Sequence, residues 1–133
     1  MFRGMATINL YADDLAAARA WYTDLLHLEP YFAREGYVEF RVGDDQDELG
    51  IVDARFRGPG DTPGTGGPIT YWHVDDVDAA LADLLRRGAT EHDHVRERGE
   101  GFRTASVVDP FGNLVGVMEN PHWSSRHGSP VAG

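Results

Sequence analysis

The chain carries one pattern twice. "ATINLYADDLAAARAWYTDLL" opens with an alternating apolar run, then Asp13-Asp14 as a helix N-cap, then Leu15, Ala18, Tyr22, Leu25 and Leu26 at helical spacing. "ITYWHVDDVDAALADLLRRGA" repeats it, with Asp75-Asp76 as the cap, Val77, Ala80, Leu81, Leu84 and Leu85 as the stripe, and Gly88 as the stop. Strand-like stretches follow each helix. "YVEFRVG" and "DELGIVDA" come after the first; "ATEHDHV", "FRTASVVD" and "NLVGVMEN" come after the second. Each half therefore reads β-α-β-β-β, which defines an α+β class. "RFRGPGDTPGTGGP", residues 55–68, is the linker between the halves, and the tail from about Ser124 reads as weakly structured.

At 133 residues and 41% hydrophobic, the chain is sized for one domain built from two modules, about 5–54 and 69–120, with a tail over 121–133. No apolar run approaches 18 residues and no basic-then-apolar leader is present, so the expectation is a soluble, cytoplasmic protein without a membrane partner. The absence of Cys excludes thiolate catalysis and Cys-based zinc sites, leaving His, Asp and Glu as strong metal ligands. A net charge of −10 repels nucleic acid. The same charge favours a cationic small molecule or simply keeps the surface soluble.

Strand alternation sorts the candidate binding residues. Ile8, Leu10, Ala12, Val38, Phe40 and Val42 fall under the first helix, leaving Thr7, Asn9, Tyr11, Tyr37, Glu39 and Arg41 on the other face. In the second half Thr70, Trp72 and Val74 go one way and Ile69, Tyr71 and His73 the other. The mixed aromatic and polar faces suit a ligand surface, or else a sheet face turned to solvent. His73 is suited to proton exchange or to a hydrogen bond with a neighbour. Glu39 either receives a cationic ligand group or neutralises Arg41. Glu48 has the same parity. His92 and His94 make an HxH spacing that can bind a transition metal or form a polar edge. Trp123, beside "ENP", closes a pocket mouth or a subunit contact. In "DPFGN", Asp109-Pro110 start a turn and Gly112-Asn113 supply positive φ. Neither a phosphate loop nor a nucleophile elbow is found.

The doubled unit, with "DDLAAARAWYTDLLHLEP", "VDDVDAALADLLRRGA" and the final hairpin "DPFGNLVGVMEN", resembles the vicinal oxygen chelate superfamily: glyoxalase I, extradiol dioxygenases and bleomycin-resistance proteins. The resemblance spans about residues 5–120 and implies a cupped sheet with outer helices, a cavity within, and commonly a homodimer. Metal-dependent members hold a divalent ion through inward His and Glu positions on the first and last strand of each half. Those positions are Thr7, Gly50, Ile69 and Gly116 here, and none chelates well. The resemblance thus implies no metal, no cofactor and no assigned catalytic residue, and leans away from an enzyme. Glycine at both last-strand positions is read as opening room for a ligand, or as simple strand bending. The expected function is metal-free binding of an aromatic or cationic small molecule by Asn9, Tyr11, Glu39, Gly50, Tyr71, His73, Gly116, Met118 and Trp123. The alternatives are a metal-independent acid–base enzyme and a lyase- or dioxygenase-type metalloenzyme with relocated ligands.

Overall fold

A computed structural model describes residues 1–58 and 65–128. The chain divides into two units, Met1–Pro63 and Gly64–Gly133. In the first, β1 (Thr7–Ala12) leads to α1 (Leu15–Leu26), followed by β2 (Phe32–Arg34), β3 (Tyr37–Val42), β4 (Asp47–Asp53) and a single 3₁₀ turn, Ala54–Phe56. In the second, β5 (Tyr71–His73) leads to α2 (Val77–Arg86), β6 (Thr90–Gly99), β7 (Phe102–Val108), β8 (Leu114–Glu119) and α3 (Pro121–His127).

The aspartate caps form as the sequence requires. Asp14 accepts the Ala17 N–H at 3.0 Å and Asp76 accepts that of Ala79 at 3.1 Å, each satisfying a donor that the first helical turn leaves free. Gly88 ends α2 at φ 101°, where a side chain would be strained.

Each unit is a four-stranded mixed sheet, ordered β1-β4-β3-β2 and β5-β8-β7-β6. The first and last strands run parallel, placing Asn9 opposite Gly50 and Tyr71 opposite Gly116. The remaining pairs are antiparallel. Under α1, Ala18 and Tyr22 are buried with Val38, Phe40, Leu49 and Ile51; under α2, Val77, Leu81 and Leu84 are buried with Ala105, Val107, Val115 and Val117. Period-two alternation in the strands and the helical stripe thus meet on one face of each sheet, leaving the other face for Asn9, Tyr37 and Glu39, or for Tyr71 and Ser106.

Several expectations are corrected. The β-α-β-β-β plan of the first half is completed by a short strand, β2, for which the sequence reading quotes no stretch. Leu85, assigned to the buried stripe, is exposed. The tail is not unstructured where it begins: Asn120 caps α3 by accepting the N–H groups of His122 and Trp123, and Pro121 stands at its first turn, where a missing N–H costs nothing. Residues 129–133 and the central part of the linker, 59–64, lie outside the described residues. In the β7–β8 turn Gly112 takes φ 91° while Asn113 does not share the positive region. The carboxylate of Asp109 holds the turn instead, accepting the N–H groups of Phe111 and Asn113 at 2.9 and 2.8 Å. Among the described residues no helix is long and apolar enough to cross a membrane.

Candidate functional site

On the open face of the first sheet, Asn9, Gly50 and Glu39 stand in one row across β1, β4 and β3. A Cβ on Gly50 would overlap the Asn9 amide oxygen and would come within 2.8 Å of the Tyr37 ring. The notch made by this glycine is therefore filled by the chain's own side chains, which corrects the reading of Gly50 as open room.

Tyr37 is held in place by Glu39. Its hydroxyl donates to Oε1 at 2.8 Å, while Arg41 donates to Oε2 from Nε at 3.2 Å and from a terminal nitrogen at 3.1 Å. Glu39 is buried, and burying a carboxylate is tolerated because both oxygens are bonded and one partner is cationic. The Tyr37 hydrogen bond, followed by that from Arg41, holds the Glu39 carboxyl below its ordinary value despite burial. Burial, then the Glu39 hydrogen bond, push the Tyr37 phenol up to about 12. Of the two readings of Glu39, the geometry is that of neutralisation by Arg41. The Arg41 guanidinium in turn lies 4.2 Å from the Tyr31 ring, and that of Arg57 lies 4.6 Å from the ring of Tyr11. Phe32, half exposed, is 6.4 Å from Tyr37 between ring centres.

The second sheet repeats the device with different side chains. A Cβ on Gly116 would come within 2.5 Å of the Tyr71 ring and 2.9 Å of Ile69, so here too the glycine seats an aromatic rather than leaving a gap. Opposite Gly116 on β7, Ser106 is 1% exposed, and its Oγ has no hydrogen-bond partner among the described residues. Buried hydroxyls are nearly always satisfied, so this oxygen has a bond to offer a bound group.

His73 sits at the end of β5. Its Nδ1 accepts the Asn120 N–H at 3.2 Å, which assigns the ring proton of the neutral form to Nε2, 3.8 Å from Asp75 Oδ1. The imidazole stacks on Trp123 at 4.2 Å, and Trp123 stacks on His127 at 3.8 Å. Met118 is the register partner of His73 and receives a long contact, 3.8 Å, from the Asn120 amide. The sequence-assigned residues thus form an Asn9, Glu39 and Gly50 row on the first unit, with Tyr11 on the same face. On the second they form a Tyr71 and Gly116 pair and a His73, Met118 and Trp123 group. Sequence reasoning places Tyr37 on the face of Glu39 without naming it among the binding residues, and it leaves out Ser106 and Asn120, whose roles arise only from pairing distant segments.

The four family metal positions fail a fit test on their own chemistry. Gly50 and Gly116 have no donor and the space above them is taken, Ile69 is apolar, and the hydroxyl of Thr7 is turned to the Glu48 carbonyl at 3.4 Å. Among the described residues no group of three or more His, Cys, Asp or Glu is placed to hold a metal ion. His92 and His94 are exposed on β6, where Asp93 between them is engaged by Arg96 at 2.9 Å.

A family model described as "Glyoxalase/Bleomycin resistance protein/Dioxygenase superfamily" matches residues 4–117. Among solved structures, a lactoylglutathione lyase from Agrobacterium tumefaciens is 27% identical with a TM-score of 0.69, covering 91% of this chain and 96% of its own. A glyoxalase/bleomycin resistance protein from Catenulispora acidiphila is 26% identical with a TM-score of 0.61, covering 86% and 96%. A glyoxalase-related enzyme from Fulvimarina pelagi, 19% identical with a TM-score of 0.73 over 90% of each chain, shares the fold. No curated protein matches the chain.

Proposed function

Since the chain belongs to the Glyoxalase/Bleomycin resistance protein/Dioxygenase superfamily, and its four inherited metal positions carry no donor set, we propose that it binds an aromatic small molecule without a metal. The observation that carries this reading is the filling of both glycine notches. Where metal-dependent relatives present a carboxylate, this chain seats the ring of Tyr37 on one sheet and that of Tyr71 on the other. Phenol rings offer stacking area at little entropic cost. Ser106 Oγ adds a buried hydroxyl beside Gly116, and Asn9 adds an amide beside Gly50.

An acid–base enzyme at this face is disfavoured by the opposed shifts of Tyr37 and Glu39. The phenol is held protonated and the carboxylate ionised, so neither exchanges a proton readily near neutrality. The family's metal-dependent lyase chemistry would need donors that Thr7, Gly50, Ile69 and Gly116 do not supply.

The test is a thermal-shift screen of aromatic amines and glycopeptide-like drugs against divalent metals. Stabilisation rising with the logarithm of aromatic ligand concentration is expected, because binding to the folded state alone produces it. Weakening of that response in Tyr71→Ala is also expected. Stabilisation by Ni²⁺, Zn²⁺ or Fe²⁺ alone would overturn the reading.

A further inference from the structure

β5 and β8 are neighbouring parallel strands, and the chain leaves their carboxyl ends toward opposite faces of the sheet. After β5 it enters α2, which covers the face of Val115 and Val117. After β8 it enters α3, whose Trp123 stacks on His73 on the face of Tyr71. When adjacent parallel strands send their connections to opposite sides, a crevice opens at the strand ends, and in open α/β sheets this is where ligands bind. In this unit the crevice is a cavity of about 310 Å³ whose lining includes His73, Val74, Asp75, Glu119, Asn120 and Pro121.

We propose that this crevice is a binding site for a small protonated amine. It lies at the strand ends, apart from the glycine notches, and does not rest on the reading of the sheet faces. The imidazole is immobilised by Asn120 on one ring nitrogen and by Trp123 on its flat side, which leaves Nε2 directed toward Asp75. The 3.8 Å between Nε2 and Asp75 Oδ1 is too long for a hydrogen bond. Asp75 is otherwise uncommitted among the described residues: Asp76, not Asp75, caps α2, and no arginine pairs with Asp75. Glu119 spends one oxygen on the Val77 N–H at 2.8 Å and on Arg103 at 3.0 Å, and among the described residues its second oxygen accepts no hydrogen bond. Among the described residues no Lys or Arg lines the cavity; Arg103 offsets Glu119 from outside the lining, so the uncompensated charge facing the crevice is that of Asp75, which attracts an ammonium and repels an anion. Val74 and Pro121 supply apolar wall for a short carbon chain, and the volume stands at the small end of ligand pockets.

The test is an NMR titration of ¹⁵N-labelled protein with n-butylammonium, using n-butanol as the neutral counterpart of the same shape. Saturable shifts of the Gly101, Asn120 and Ser124 amides are expected with the ammonium and not with the alcohol. Asp75→Asn, at an exposed carboxylate, should weaken the affinity about tenfold, the scale of one charge-assisted contact. Glu91→Gln, an exposed carboxylate on β6, should leave it unchanged. Shifts that never saturate, shifts of equal size with butanol, or equal weakening by the two substitutions would each overturn the proposal.

Discussion

Tyr37 and Glu39 stand two residues apart on β3, and the phenol donates to the carboxylate at 2.8 Å directly beside Gly50. This pair couples the ionisation of the face to the stability of the fold. The Tyr37 pKa is raised in the folded protein, so its contribution is complete below the ordinary phenol value and is lost as pH rises toward about 12. The Glu39 pKa is lowered, so its contribution is present above the ordinary carboxyl value near 4.5 and is lost as pH falls through the lowered one. Denaturant unfolding measured across pH should therefore show Tyr37→Phe flattening the alkaline loss and reducing the acid one. Identical pH profiles for the two proteins would contradict the pairing.

Gly50→Ala should destabilise by about 1–3 kcal/mol, the usual scale of overpacking, because the new methyl group displaces Tyr37 from the hydroxyl position that Glu39 fixes. Gly116→Ala should cost less. The Tyr71 ring is 37% exposed and makes no hydrogen bond among the described residues, so it can swing aside. Adding Tyr71→Ala to Gly116→Ala should recover most of that loss in urea unfolding.

Removal of Trp123 should loosen α3 without unfolding the sheet. The stack of His73, Trp123 and His127 holds this helix, and each aromatic contact is worth about 0.5–1.5 kcal/mol. Hydrogen exchange of Trp123→Ala should show faster exchange over residues 121–127 and an unchanged β7–β8 ladder.

Arg103 should prove costly to remove. It donates to Glu97 at 2.8 Å, Asp78 at 2.9 Å and Glu119 at 3.0 Å, and Glu119 also accepts the Val77 N–H at the start of α2. Asp78, followed by Glu97, holds its guanidinium pKa above the ordinary arginine value. Arg103→Leu leaves a half-buried Glu119 without its cation, and a loss of about 1–3 kcal/mol in chemical denaturation is expected. Arg57→Leu should change stability far less.

What was legible in the sequence was local. Asp14 and Asp76 announce the helix starts, and Val38 with Phe40 announces the buried face of β3, because caps and alternation depend on near neighbours. Phe32–Arg34 is too short to carry a period, so the β-α-β-β-β plan implies β2 without locating it. Asn120 followed by Pro121 is a helix-start signal that stood unused in "ENPHW". The site was less legible. That Gly50 seats Asn9 and Tyr37 depends on the register of β1, β3 and β4, and that His73 is tied to Asn120 joins segments 47 residues apart. No periodicity along a single strand contains either relationship.

The most direct measurement is anomalous diffraction from crystals grown with Ni²⁺ and an aromatic amine. The expected map has no anomalous peak within bonding distance of residues 7, 50, 69 or 116, and has ligand density against Tyr37 or Tyr71. A full-occupancy peak at those positions, coordinated by the chain's side chains, would contradict recognition without a metal.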